Sequence, residues 1–185
     1  MCVPPVRRDV PIYIAGIGPR VLELGGEVGD GVFLIFATER SIRSAMSQVR
    51  AGAECAKRDP REIDVVSYIF TCIATDRQAA VRASRKTIAY FGRLEHYRNL
   101  FTQEGFAKEV ALLKEAWAQN DATRATQAVS DEMVATLSAS GSADDVAGRI
   151  KVLLDAGLKQ AVIFPFAADG SAKEAITTTI EALSS

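Results

Sequence analysis

The chain has 185 residues, of which 48% are hydrophobic and 24% charged, so it is long enough and apolar enough to bury the core of one globular domain. Its 22 basic and 23 acidic side chains are spread along the sequence and give a formal net charge of −1. This balance excludes the strongly basic surface by which proteins attract nucleic acids or anionic membranes. We therefore expect neither as a partner, and we treat residues 1–185 as a single domain.

The sequence shows no segment suited to a membrane or to export. The longest nearly apolar run, residues 65–74, contains Ser67 and Thr71 and is shorter than the roughly 20 residues that span a bilayer. Residues 1–5 lack the hydrophobic core of a signal peptide. These features predict a cytoplasmic protein.

The three cysteines, Cys2, Cys55 and Cys72, have no C-x-x-C spacing. An odd number of cysteines without that spacing predicts neither a disulfide framework nor a zinc site. We expect Cys55 and Cys72 to be small buried apolar residues.

The first predicted unit is a short apolar strand, residues 12–15, that runs into a helix through Gly16, Ile17, Gly18 and Pro19. Glycine lets a ligand approach the backbone closely, and proline is suited to the first position of a helix. The free N–H groups at the start of a helix attract anions. The junction is therefore a candidate phosphate site, although a tight turn that binds nothing would have the same sequence.

Three further β-rich apolar runs follow, each with a helical pattern after it: residues 32–37, 63–74 and 160–166. Polar side chains that can cap a helix stand before four of the helical patterns: Thr38, Asp76, Ser142 and Ser171. Residues 93–136 contain no strand pattern, and we predict a helical insertion of three or four short helices there, before the last βα unit. Strands of nearly continuous apolar character that alternate with helices favour a parallel sheet in an α/β fold.

Two α/β architectures compete for this pattern. A dinucleotide-binding fold needs G-x-G-x-x-G after its first strand and an acidic residue about 20 positions later. Glu39 has about the right spacing, but Val21 stands at the third glycine position and Pro19 interrupts the motif. The alternative is part of a (β/α)8 TIM barrel, in which ligands bind at the carboxyl ends of the strands.

The segment of residues 11–32, from Pro11 through the glycine turn to Val32, resembles the hallmark of the luciferase-like family. Within that family it is similar to the oxidoreductases that depend on coenzyme F420 or flavin, a group that includes methylenetetrahydromethanopterin reductase. Shorter pieces of the same pattern follow in the same order: residues 58–60, 97–101, 105–106, 130–133 and 140–146. The resemblance thus covers nearly the whole chain.

The resemblance implies the C-terminal half of such a barrel, with about four parallel strands, because the family's first four βα units have no counterpart here. It implies a luciferase-like oxidoreductase, acting by hydride transfer or monooxygenation on a small-molecule substrate, with coenzyme F420 or FMN as cofactor. Ala15, Gly16, Ile17 and Gly18 would bind the cofactor phosphate through backbone N–H groups, and Thr38 through its hydroxyl, although helix capping explains Thr38 equally well. No metal and no particular catalytic residue is implied.

Several alternatives remain open at this point. The chain could be a truncated form that keeps only the phosphate-binding end, a non-catalytic cofactor-binding or interaction module, or a nicotinamide-dinucleotide-binding protein. We expect Arg20 and the sole histidine, His96, to be exposed helix residues. A half-barrel leaves two open sheet edges, so we also expect a homo-oligomer formed through those edges.

Overall fold

The computed structural model describes residues 10–184, which form strands and helices in alternation. In chain order the elements are β1 (Tyr13–Ala15), α1 (Pro19–Val28), β2 (Gly31–Ile35), α2 (Glu39–Cys55), β3 (Asp64–Ile73), α3 (Arg77–Phe91), α4 (Glu95–Gln103), α5 (Ala107–Ala118), α6 (Ala122–Ala128), α7 (Asp131–Leu137), β4 (Ala139–Gly141), α8 (Ala143–Asp155), β5 (Gln160–Pro165) and α9 (Ala172–Leu183). A 3₁₀ turn, Pro60–Glu62, precedes β3.

The strands form one parallel sheet, which confirms the predicted α/β fold. β1 pairs with β2, β2 with β3, and the other side of β3 pairs with β5 along most of its length. This order follows the chain without the reversal of a doubly wound sheet and matches the winding of a (β/α)8 barrel. The barrel is open: within residues 10–184, β1 pairs only with β2, and β5 pairs only with β3. The prediction of about four strands missed β4, which pairs with residues 71–73 at the end of β3.

Helices α1, α2 and α8 cover the outer face of the sheet. Val32 and Leu34 of β2 and Val65 of β3 point into this apolar layer and are buried. Gly25 in α1 packs on the sheet, because a Cβ there would collide with Val32. Gly26 instead allows α2 to pack closely against α1, because a Cβ there would collide with the carbonyl oxygen of Val49.

Alternate residues of the same strands form the opposite face, which we call the inner face: Phe33, Ile35, Tyr68, Val162 and Phe164. The Tyr68 ring lies 4.5 Å from that of Phe33 and 5.9 Å from that of Phe164, measured between centroids. Helices α3 to α7 pack only over the carboxyl end of this face, where Phe36 stacks on Phe70 at 4.6 Å. Tyr68 and Phe164 consequently stay 39% and 48% exposed.

Two cysteines lie in the described part of the chain, and their environments differ. Cys72 in β3 is buried as predicted, and burial raises the pKa of its thiol to about 11. The prediction for Cys55 was wrong: it is exposed, because it lies at the end of α2 on the side turned away from the sheet. Cys2 lies outside the described residues.

None of the helices described is long and apolar enough to cross a membrane.

Candidate functional site

The turn after β1 joins the sheet to α1 at the carboxyl end of the strands. The Gly16 N–H donates to the carbonyl of Phe33 at 3.2 Å and so extends the ladder with β2 by one residue. The next two N–H groups, of Ile17 and Gly18, have no hydrogen-bond partner among residues 10–184. Pro19 then occupies the first position of α1, as predicted. Two of the predicted phosphate donors are therefore free, whereas Gly16 already uses its N–H group.

The start of α1 differs from the starts of α2 and α8, which also lie at the carboxyl end of the sheet. Thr38 caps α2 and Ser142 caps α8 with a side-chain oxygen, and both helices carry an acidic residue in the first turn. Helix α1 has neither a side-chain cap nor an acidic residue in its first turn. No carboxylate or hydroxyl of α1 itself offsets the partial positive charge of its N-terminus, and such a helix end favours a bound anion.

The two glycines of the turn serve different purposes. A Cβ at Gly16 would collide with the side chain of Val21, so glycine is needed there for the chain to fold back onto α1. A Cβ at Gly18 would meet no atom within 4 Å, and the backbone there is extended, with φ of −84° and ψ of 146°. Gly18 is therefore not required by the packing of the chain itself, and it leaves open space beside a free N–H group.

A cavity of about 330 Å³ opens beside this turn and onto the inner face. Its lining combines the turn, the inner face and the first residues of α4: Ala15, Gly16, Ile17, Phe33, Leu34, Ile35, Tyr68, His96 and Tyr97. Its volume lies at the lower end of the range for small-molecule sites, about 300–1,000 Å³.

His96 and Tyr97 contribute to this cavity from the helical insertion. His96 is exposed, as predicted, but its ring contacts that of Tyr97 at 4.1 Å between centroids, tilted by 49°, and reaches the cavity. Burial raises the pKa of the Tyr97 phenol, which stays protonated at neutral pH. Sequence analysis missed both residues as cavity residues, because the polar stretch around His96 gives no indication that α4 returns to the sheet.

Thr38 lies at the carboxyl end of β2, close to the turn, but protein groups occupy its hydroxyl. The side chain is buried, with 2% exposed; it accepts from the Ser41 N–H at 3.1 Å and lies 2.8 Å from a carboxylate oxygen of Glu104, to which it donates. Ile17, Arg40 and Ser41 line a smaller cavity of about 160 Å³ between the starts of α1 and α2. The structure thus brings the two predicted helix starts together and adds Arg40, which donates to the carbonyl of Gln103 at 2.6 Å, and the carboxylate of Glu104, both of which sequence analysis missed.

Glu39, the acidic residue that a dinucleotide site would use, is engaged elsewhere. Its carboxylate forms an ion pair with Arg149 at 2.9 Å, and Arg149 also donates to the carbonyl of Thr136 at 2.7 Å. Burial is the largest single effect on Glu39 and raises its pKa, but the hydrogen bond from Arg149, a backbone hydrogen bond and the charges of Arg149 and Arg43 together outweigh it, so the pKa is lowered. Among residues 10–184, no group of three or more His, Cys, Asp or Glu side chains could hold a metal ion.

Comparison with known proteins gives consistent matches. Residues 2–160 match the family described as luciferase-like monooxygenase. A 5,10-methylenetetrahydromethanopterin reductase of Methanolobus tindarius is 36% identical over 157 residues, which are 83% of this chain and 48% of that protein. The structure of the coenzyme F420 dependent tetrahydromethanopterin reductase of Methanopyrus kandleri superimposes with a TM-score of 0.79 at 26% identity, over 94% of this chain and 49% of that one.

A more distant structure shares the fold alone. A riboflavin lyase, solved with modified FMN and riboflavin, superimposes with a TM-score of 0.54 at 17% identity, over 92% of this chain and 42% of that one. The chain spans about half the length of the curated relatives that it matches.

Proposed function

Since the chain belongs to the luciferase-like monooxygenase family, we propose that it holds the phosphate-bearing end of a cofactor, coenzyme F420 or FMN, for an oxidoreductase. The observation that carries this proposal is the uncapped start of α1, where the N–H groups of Ile17 and Gly18 lack protein partners beside the 330 Å³ cavity. A phosphate would satisfy these donors and match the charge at the helix end.

The residues of the turn would act in distinct ways. Ile17 and Gly18 donate to the phosphate, Gly16 gives the turn its shape, and Ala15 forms part of the cavity wall. Thr38 acts indirectly, because its hydroxyl caps α2 and so places Arg40 next to the turn. When bound, the cofactor supplies the hydride or the reaction with oxygen, while the chain orients it and shields it from water.

Coenzyme F420 is favoured over FMN, because the similar solved structure at 26% identity is that of a coenzyme F420 dependent enzyme. Hydride transfer to a small-molecule substrate is favoured over monooxygenation for the same reason. Placement in the cytoplasm and a small-molecule substrate stay predictions of the sequence.

Titration with coenzyme F420 and with FMN tests the proposal, read out by cofactor fluorescence and by the melting temperature of the chain. NADH serves as the comparison ligand for the nicotinamide alternative. We expect saturable binding of at least one of the two proposed cofactors and none of NADH. Absence of any response to F420 and FMN at millimolar concentration would contradict the proposal, and selective binding of NADH would replace it.

A further inference from the structure

The inner face extends beyond the cavity assigned to the cofactor, which reaches Phe33 and Tyr68 but not Phe164. Its aromatic row of Phe33, Tyr68 and Phe164 runs across three neighbouring strands, and the last two rings are 39% and 48% exposed. A contiguous apolar row on a sheet face marks a surface that is covered in the working protein. The barrel winding of the sheet indicates that further strands lie across from it.

The two edges of the sheet carry backbone groups ready to pair. On β5, the Phe166 N–H donates to the carbonyl of Thr71 in β3 at 3.0 Å, so alternation along the strand turns the N–H groups of Ala161 and Ile163 to the free edge. On β1, the Gly16 N–H points to β2, and the same alternation turns the N–H groups of Tyr13 and Ala15 outward. Within residues 10–184, each copy therefore offers one β1 edge and one β5 edge.

These edges are complementary between two copies. All strands run parallel, so a twofold axis along the barrel keeps the strands of both copies parallel and brings β5 of each beside β1 of the other. The four strands β1, β2, β3 and β5 from each copy then close a ring of eight, the strand number of a complete barrel. The solved reductase, of which this chain covers 49%, has the length of about two such copies.

We propose that two copies of this chain pair β5 against β1 across both open edges and bury their inner faces in a closed pseudo-barrel. The inference deepens the proposed function and rests on it. Loops after parallel strands lie at the same end of a barrel, so the segment after the partner's β5 lies beside the glycine turn of each copy. Each of the two cofactor sites is thus completed by the other copy.

The test measures the mass of the 185-residue chain in solution by light scattering, without cofactor, across a range of concentrations. One chain has a mass of 19.9 kDa, so the proposed assembly has a mass of about 40 kDa. A folded monomer at all concentrations would overturn the proposal and assign the inner face to some other segment or partner.

Two variants direct the test to the proposed contacts. Phe164→Lys places a charge on the inner face outside the cavity lining, and Ala161→Pro removes an N–H from the free edge of β5 while leaving the ladder with β3 intact. We expect each to raise the dimer dissociation constant at least about tenfold, with an unchanged circular dichroism spectrum. Tyr90→Lys, at an aromatic residue that is 59% exposed on α3, is the matched control and should leave the dimer unchanged. Dimers that survive both inner-face and edge variants would overturn the proposed pairing.

Cofactor binding, measured separately on the same samples, distinguishes this inference from the proposed function. A dimer that binds neither F420 nor FMN refutes the function and leaves the pairing intact. A monomer that binds either cofactor with undiminished affinity refutes the pairing and leaves the function intact.

Discussion

Gly18→Ala separates cofactor binding from folding, because the structure gives glycine no packing role at this position. The added Cβ meets no atom within 4 Å, and the backbone angles of −84° and 146° suit alanine. Replacing glycine at a compatible position stabilises a protein by about 0.4–1 kcal/mol through the unfolded state, but Gly18 is the N-cap of α1, where alanine is disfavoured relative to glycine by a similar amount. For a chain of this length the melting temperature should therefore change by no more than about 1–4 °C.

The same methyl group should weaken cofactor binding. It occupies the open space beside the free Gly18 N–H, where the proposed phosphate approaches the backbone. Loss of one hydrogen bond to a charged group costs about 1.5–3 kcal/mol. We therefore expect the dissociation constant for F420 or FMN to rise by about 10- to 150-fold.

Gly148→Ala is the matched control, since a Cβ there also meets no atom within 4 Å and the residue lies in α8. It should raise stability by about 0.5–1 kcal/mol and leave cofactor affinity unchanged. Fluorescence titration and thermal melting of the three proteins provide the comparison. A Gly18→Ala protein that is stable and binds the cofactor as tightly as the parent would refute the phosphate site at this turn.

Three further predictions concern the framework that positions the site. Phe36 is buried among aromatic rings and has a left-handed backbone, with φ of 53°, so Phe36→Ala should lower the free energy of unfolding by about 3–5 kcal/mol. Phe36→Gly should recover about 1 kcal/mol of this loss, because glycine tolerates the left-handed backbone. Equal stability of the two variants in urea denaturation would show that the backbone at Phe36 is not strained. Gly52→Ala should lower the free energy of unfolding by about 1–3 kcal/mol, because the added Cβ collides with the backbone carbonyl of Glu23. A higher free energy of unfolding, as expected for Gly→Ala at an exposed helix position, would refute the close approach of α1 and α2. The ion pair with Arg149 lowers the pKa of Glu39 against the opposing effect of burial, so its stabilisation is present above the unfolded pKa, near 4.5, and is lost as the pH falls through the folded pKa. Urea denaturation between pH 3 and 7 should thus show a shallower acid dependence for Glu39→Gln than for the parent, and identical slopes would show that the pair does not contribute.

Local sequence signals determined much of the fold. Pro19 marks the start of α1, and Thr38, Ser142 and Ser171 cap α2, α8 and α9 as predicted, because a short polar side chain before a helical pattern acts on backbone groups within three residues. The apolar strand runs also predicted a parallel sheet, because the strands of such a sheet are covered on both faces and are therefore nearly continuously apolar.

Features that depend on tertiary contacts were not predictable in this way. β4 has only three residues and contains Ser140 and Gly141, so it shows no strand periodicity and forms because β3 extends past the end of β2 to meet it. The hydrogen bond from Thr38 to Glu104 joins residues 66 positions apart. Such contacts arise from the return of the helical insertion to the sheet, which no local pattern specifies.

The central claim is that the turn after β1 binds a phosphate, and the most direct measurement compares ligands with and without that group. Riboflavin lacks the phosphate of FMN, and the deazaflavin chromophore alone lacks the phosphate-bearing side chain of coenzyme F420. We predict that the phosphorylated ligand of at least one pair binds at least about tenfold more tightly to the parent chain, and that Gly18→Ala reduces this difference. Equal affinity within both pairs would contradict the claim.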